Sequence, residues 1–138
     1  MREPVWLDIF RDIRDTYNQW MGKLRAVLRP INPRKATDEE SRTICEATRM
    51  VMNSVLLASL TFPGKHVEQW GSEALTEFET AHDVTSGQTP YSENIGLRRD
   101  ELQKFLADWL PNNREGLRRW IEEAAPGNLD LADEPPPE

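Results

Sequence analysis

The chain has 138 residues, 38% of them apolar and 30% charged, with a net charge of −7. That length suits one domain with a real core, and the composition excludes a chain disordered throughout. A single cysteine excludes an internal disulfide framework, and the most apolar run, Val55 to Phe62, is too short to span a bilayer. Asp8, Asp12 and Asp15 interrupt any secretory leader pattern at the start. We therefore expect a cytoplasmic protein without membrane contact, in which Cys45 serves as a small buried hydrophobe beside Ile44, Ala47 and Val51.

The first predicted helix runs from Pro4 to about Arg29, where Pro30 and Pro33 force an extended connection. Its apolar residues alternate in steps of four and three: Trp6, Phe10, Ile13, Tyr17, Trp20, Leu24, Val27. This spacing keeps one stripe on one side of a long helix. Leu7, Ile9, Met21 and Leu28 flank the stripe and widen it, which favours the broad face of a bundle helix over a two-stranded coiled coil. Trp6, Phe10, Ile13, Tyr17 and Trp20 form a candidate partner interface, because large aromatic rings are favoured at the centres of such contacts.

Charge is distributed unevenly along the chain. Residues 1–36 carry eight Lys/Arg against four acids, and the remaining 102 residues carry nine against twenty. No acid occurs between Thr16 and Thr37, while Lys23, Arg25, Arg29, Arg34 and Lys35 are basic. Cations near a helix C-terminus complement its dipole, and internal pairing with the acidic remainder is one use for them. Contact with an anionic partner such as nucleic acid is the other. The overall negative charge opposes a polyanion unless the basic surface is well segregated.

The second predicted helix opens with a capping box, Thr37-Asp38-Glu39-Glu40, and runs to about Thr61, where Pro63-Gly64 stops it. Its half from Met50 to Phe62 is apolar almost all round and is expected at the centre of the domain. A third helix spans Lys65 to His82, with Val67, Trp70, Leu75, Phe78 and Ala81 on one face and Gly71 as a weak point. Asp83 to Ile95 reads as a long irregular loop around Pro90. A fourth helix covers Leu97 to Leu110, with a stripe of Leu102, Phe105, Leu106, Trp109 and Leu110. Asn113 caps a fifth, carrying Leu117, Trp120, Ile121 and Ala124. Residues 128–138 read as an acidic, proline-rich disordered tail, so the domain is expected over 1–127. A short echo, Gly-Leu-Arg-Arg at 96–99 and 116–119, marks the starts of helices four and five.

Catalytic signals are sparse. Glu79 and His82 have a metal-like Glu-x-x-His spacing, but a carboxylate-bridged site needs a second copy, and His66 has no acid three residues before it. No Gly-rich phosphate loop, paired-cysteine site or nucleophile elbow is present. Acid pairs such as Glu73 with Glu77 read as solvated helix surface. The expectation is an all-α, single-domain bundle of about five helices without metal or cofactor. It is expected to act as a non-enzymatic interaction or assembly module, self-associating or a small subunit of a larger complex. Nucleic-acid contact through Lys23, Arg25, Arg29, Arg34 and Lys35 is the alternative.

Overall fold

A computed structural model describes residues 5–31, 34–61 and 65–109. Over these residues the protein is almost wholly helical and contains no strand. The helices are α1 (Val5–Ile31), α2 (Asp38–Thr61), α3 (Lys65–Thr85) and α4 (Tyr91–Lys104), and α4 passes directly into a π-helical turn at Phe105–Trp109. α1 packs chiefly on α2, and α3 on α4, so two helical hairpins form the body of the molecule. No helix among the described residues is long and apolar enough to cross a membrane. The fifth helix, the Asn113 cap and the acidic tail expected from the sequence lie outside the described residues.

The capping box at the start of α2 forms as its spacing requires. The Glu40 amide donates to Thr37 Oγ1 at 3.2 Å, and the Thr37 amide donates to Glu40 Oε1 at 2.9 Å. α1 runs two residues beyond its expected end at Arg29, through Pro30 to Ile31. The donor that proline lacks falls in the last turn, and Ile31 is buried there, so apolar burial offsets a single missing bond.

The largest correction concerns residues 83–95, which do not form a long loop. α3 continues through Thr85, whose hydroxyl bonds back to the Ala81 carbonyl at 2.8 Å, and α4 begins at Tyr91. Ser92 and Asn94, read as loop residues from their type, donate helically to the carbonyls of Gln88 and Pro90. Only residues 86–90 are irregular, and Gly87 supplies the left-handed φ of +89° that the turn needs. That turn is fastened to the connection between α1 and α2. Ala36 donates to the Val84 carbonyl at 2.8 Å, and the Gln88 side chain bonds both the Ala36 carbonyl and the buried Ser41 hydroxyl. Polar residues that look like loop formers in sequence thus join the two hairpins at one end.

In the core, α1 presents Phe10, Tyr17, Met21, Leu24, Leu28 and Ile31 as buried residues, while Ile13, Trp20 and Val27 are only partly buried. The four-and-three spacing holds, but the buried face is rotated toward the row of Met21 and Leu28, away from that of Ile13 and Trp20. Phe10 and Tyr17 stand two turns apart, about 10.5 Å along the axis. The indole of Trp70 from α3 fits that gap, with ring centroids 5.7 Å from Phe10 and 4.8 Å from Tyr17 and nearly parallel planes. The Tyr17 hydroxyl donates to the Trp70 carbonyl at 3.1 Å, so the buried phenol oxygen is satisfied.

The second half of α2, apolar almost all round in sequence, is not buried all round. Val51, Val55 and Ala58 are buried, whereas Leu57 is 52% exposed. Its buried hydroxyls bond carbonyls of their own helix, Ser54 to Met50 and Ser59 to Leu56. Gly71 in α3 is explained by packing: a Cβ there would lie 2.5 Å from Leu106 Cδ2, so the π-helical turn rests directly on the α3 backbone. Leu102, Phe105 and Leu106 of the predicted fourth-helix stripe meet the core, while the side chains of Trp109 and Leu110 lie outside the described ones.

Candidate functional site: an arginine-lined cleft between two helices

Each residue of the candidate partner interface on α1 has a definite place, apart from Trp6, whose side chain lies outside the described ones. Phe10 and Tyr17 belong to the protein's own core through the Trp70 stack. Burial raises the Tyr17 phenol well above its ordinary value, the nearby Glu73 adds to this, and Arg25 opposes it. Ile13 and Trp20 remain half-buried, and Lys23 Nζ sits 4.2 Å from the centre of the Trp20 ring.

The basic segment is largely engaged within the chain. Arg25 reaches Glu73 at 3.5 Å and Glu77 at 3.4 Å on α3. Arg34 clasps Glu40 with two bonds of 2.9 Å, a fork on a carboxylate. That fork, with the Thr37 amide, holds the Glu40 carboxyl down at about 2. Lys35 donates to the Asp83 carbonyl at 2.8 Å. Arg29 is exposed and has no carboxylate partner among the described residues.

A different set of cations faces open space. Arg42, Cys45, Glu46 and Arg49 occupy positions i, i+3, i+4 and i+7 of α2, hence one helical face. Tyr91 and Arg98 stand seven apart on α4, again on one face. Together these six line an open cleft of about 260 Å³. Arg42 Nε donates to the Tyr91 hydroxyl at 3.3 Å, and Arg98 Nη1 lies 3.5 Å from Cys45 Sγ, so each helix orients groups of the other. Cys45 is therefore half-buried in a polar cleft, a correction to its expected place in the core. Ile44 and Ala47 beside it do enter the core, so the thiol points out between two buried neighbours.

Sequence reasoning passed over this cleft. Arg42 and Arg49 share a visible seven-residue spacing, and Arg98 lies in the Gly-Leu-Arg-Arg echo. With Tyr91 assigned to a loop, however, no spacing linked the two helices. His82, the metal-like candidate, is occupied elsewhere. Its Nδ1 is 3.0 Å from Arg99 Nη1, and because arginine only donates, Nδ1 must accept. Its Nε2 lies 3.2 Å from where a side chain on Gly96 would begin, so the ring packs directly on α4. Among the described residues no three His, Cys, Asp or Glu gather as metal ligands.

Fold and site together define a small all-helical protein with a cationic interhelical cleft. No protein-family model matches the chain, and neither a curated protein nor a solved structure shows significant similarity to it.

Proposed function

We propose that this protein is a non-enzymatic helical interaction module that self-associates through the outer row of α1. The observation that carries this reading is the row Ile9, Ile13, Trp20 and Val27. At about 100° per residue these four fall within roughly 40° of one another on the helix. Ile9 is 45% exposed and the other three are half-buried, an apolar strip alongside the core face. Such a strip gains burial only from a second surface. A second copy is the natural occupant, because a heptad-spaced row on one helix is self-complementary about a twofold axis. The fifth helix and acidic tail expected beyond Trp109 belong to the same reading of the chain as one bundle.

Nucleic-acid contact through Lys23, Arg25, Arg29, Arg34 and Lys35 has less support. Arg25 and Arg34 face carboxylates, Lys35 a carbonyl and Lys23 an aromatic ring. The test is light scattering on the full chain. A dimer or larger species that becomes a monomer with Ile13→Glu is expected. A strict monomer at high concentration, unaffected by Ile13→Glu, overturns self-association. A different protein that co-purifies and is lost with the same variant replaces the second copy by a larger complex.

A further inference from the structure

Three arginines line the α2–α4 cleft in a chain that is strongly acidic overall. None of Arg42, Arg49 and Arg98 has a carboxylate within ion-pair distance among the described residues. Glu46 lines the same cleft without pairing to them, and Asp38 and Glu39, a turn back on α2, act on Arg42 only at longer range. Elsewhere Arg25 and Arg34 find carboxylates. The cleft concentrates cations that the fold itself does not neutralise.

Hydrogen bonding favours a particular ligand. Arginine donates and never accepts, so the Tyr91 oxygen takes the Arg42 bond and keeps its own O–H free to donate. With Nε engaged by Tyr91, the terminal nitrogens of Arg42 make no hydrogen bond or ion pair among the described residues. A fork of guanidinium donors beside a hydroxyl suits the several oxygens of a tetrahedral dianion better than a single carboxylate. Three cations against the one carboxylate of Glu46 match a charge of minus two. Glu46 itself can only accept, so a ligand that sits well here carries a donor beside its anionic group. A cleft of about 260 Å³ holds a compact molecule rather than a dinucleotide or a polymer. The chain's net charge of −7 works against a polyanion, but much less against one small dianion already in contact with three arginines.

We propose that the α2–α4 cleft binds a small phosphomonoester bearing a hydroxyl or ammonium donor, with Arg42, Arg49, Arg98 and Tyr91 on the phosphate and Glu46 on the donor. This site is independent of self-association through α1, and either can fail alone.

Cys45 is the chain's single cysteine and lines the cleft, so it reports occupancy directly. The experiment follows alkylation of Cys45 in the full chain by iodoacetamide, a neutral reagent that does not compete for the arginines. The probes are O-phosphoserine, inorganic phosphate, and sodium chloride at matched ionic strength. O-phosphoserine is expected to slow alkylation saturably and chloride to leave it unchanged. Each arginine changed to glutamine in Arg42→Gln or Arg98→Gln should raise the half-protecting concentration about tenfold or more, from the loss of charge-assisted bonds. Arg49→Gln is the safeguard on folding, since Arg49 forms no hydrogen bond or ion pair among the described residues and its loss should weaken protection while the melting temperature holds. Glu46→Gln should weaken O-phosphoserine but spare inorganic phosphate. Absence of protection by either phosphate overturns the site, as does equal protection by chloride or protection that survives Arg42→Gln with Arg98→Gln. Equal loss of both phosphates in Glu46→Gln overturns the donor half of the assignment.

Discussion

The α1–α3 seam and the α2–α4 cleft use the same kinds of side chain, arginine, tyrosine and glutamate, to opposite ends. In the seam, Tyr17 is buried against Trp70 and bonded to its carbonyl, and Arg25 meets Glu73 and Glu77. In the cleft, Tyr91 is half-buried and accepts from Arg42, while Arg49 and Arg98 make no ion pair among the described residues, although Glu46 lines the same cleft. The seam closes upon itself and stabilises the fold, and the cleft leaves donors unmet. Density of charge along a chain therefore says little about availability. The most basic stretch of the sequence is the more fully paired one, and the unpaired arginines are scattered over two helices.

Tyr17→Ala is the strongest challenge to this contrast. It removes one of the two rings between which Trp70 is held and should cost about 3–5 kcal/mol, the range for truncating a buried aromatic residue. Chemical denaturation measures it, and a loss under 1 kcal/mol would mean that the stack is not what holds α1 to α3. The same phenol adds a sign at alkaline pH. Its folded value lies above the ordinary 10.0, so the stability it contributes is present below that pH and declines as the pH rises above it.

A smaller effect separates the arginines. Arg25 is about a third exposed, so its two carboxylate contacts are partly screened, and Arg25→Gln should cost about 1 kcal/mol or less. Arg42→Gln and Arg98→Gln should stay within about 0.5 kcal/mol of the parent, as surface changes usually do. Cleft variants that cost more than about 1 kcal/mol would make those arginines structural and erase the distinction.

The smallest effect tests pairing in the exposed basic segment. Glu40 should titrate at about 2 by carboxyl NMR, against an ordinary 4.5, and Arg34→Gln should bring it back up. The folded value is depressed, so the contribution is present above about pH 4.5 and is lost as the pH falls toward 2. An ordinary titration in the parent would return Arg34 to the pool of free cations.

Much of the architecture was legible in the residues themselves. The capping box, the proline-glycine stop before α3 and the apolar spacing of α1 act over one or two helical turns, where local physics suffices. The limits of legibility appear where two rows compete. Ile13, Trp20 and Val27 are as apolar as Met21 and Leu28, and Arg14 interrupts the row that proves to be buried. What decides which row turns inward is tertiary: α1 packs chiefly on α2, and Trp70 of α3 slots between Phe10 and Tyr17. Ser92 and Asn94 depart from their sequence expectation for a related reason. Their type favours loops, but Gln88 and the Ala36–Val84 bond anchor the turn and let the helix begin early.

Caps, breakers and periodicity are properties of neighbouring residues, and they suffice to make this chain helical, to start three of its helices and to require that one face of the first be buried. Tertiary structure alone decided the register of that face, the fate of each cation and the existence of the cleft. A charge is neutralised or left open by what another helix brings within about 4 Å, and Arg42 and Arg98 are 56 positions apart in the chain.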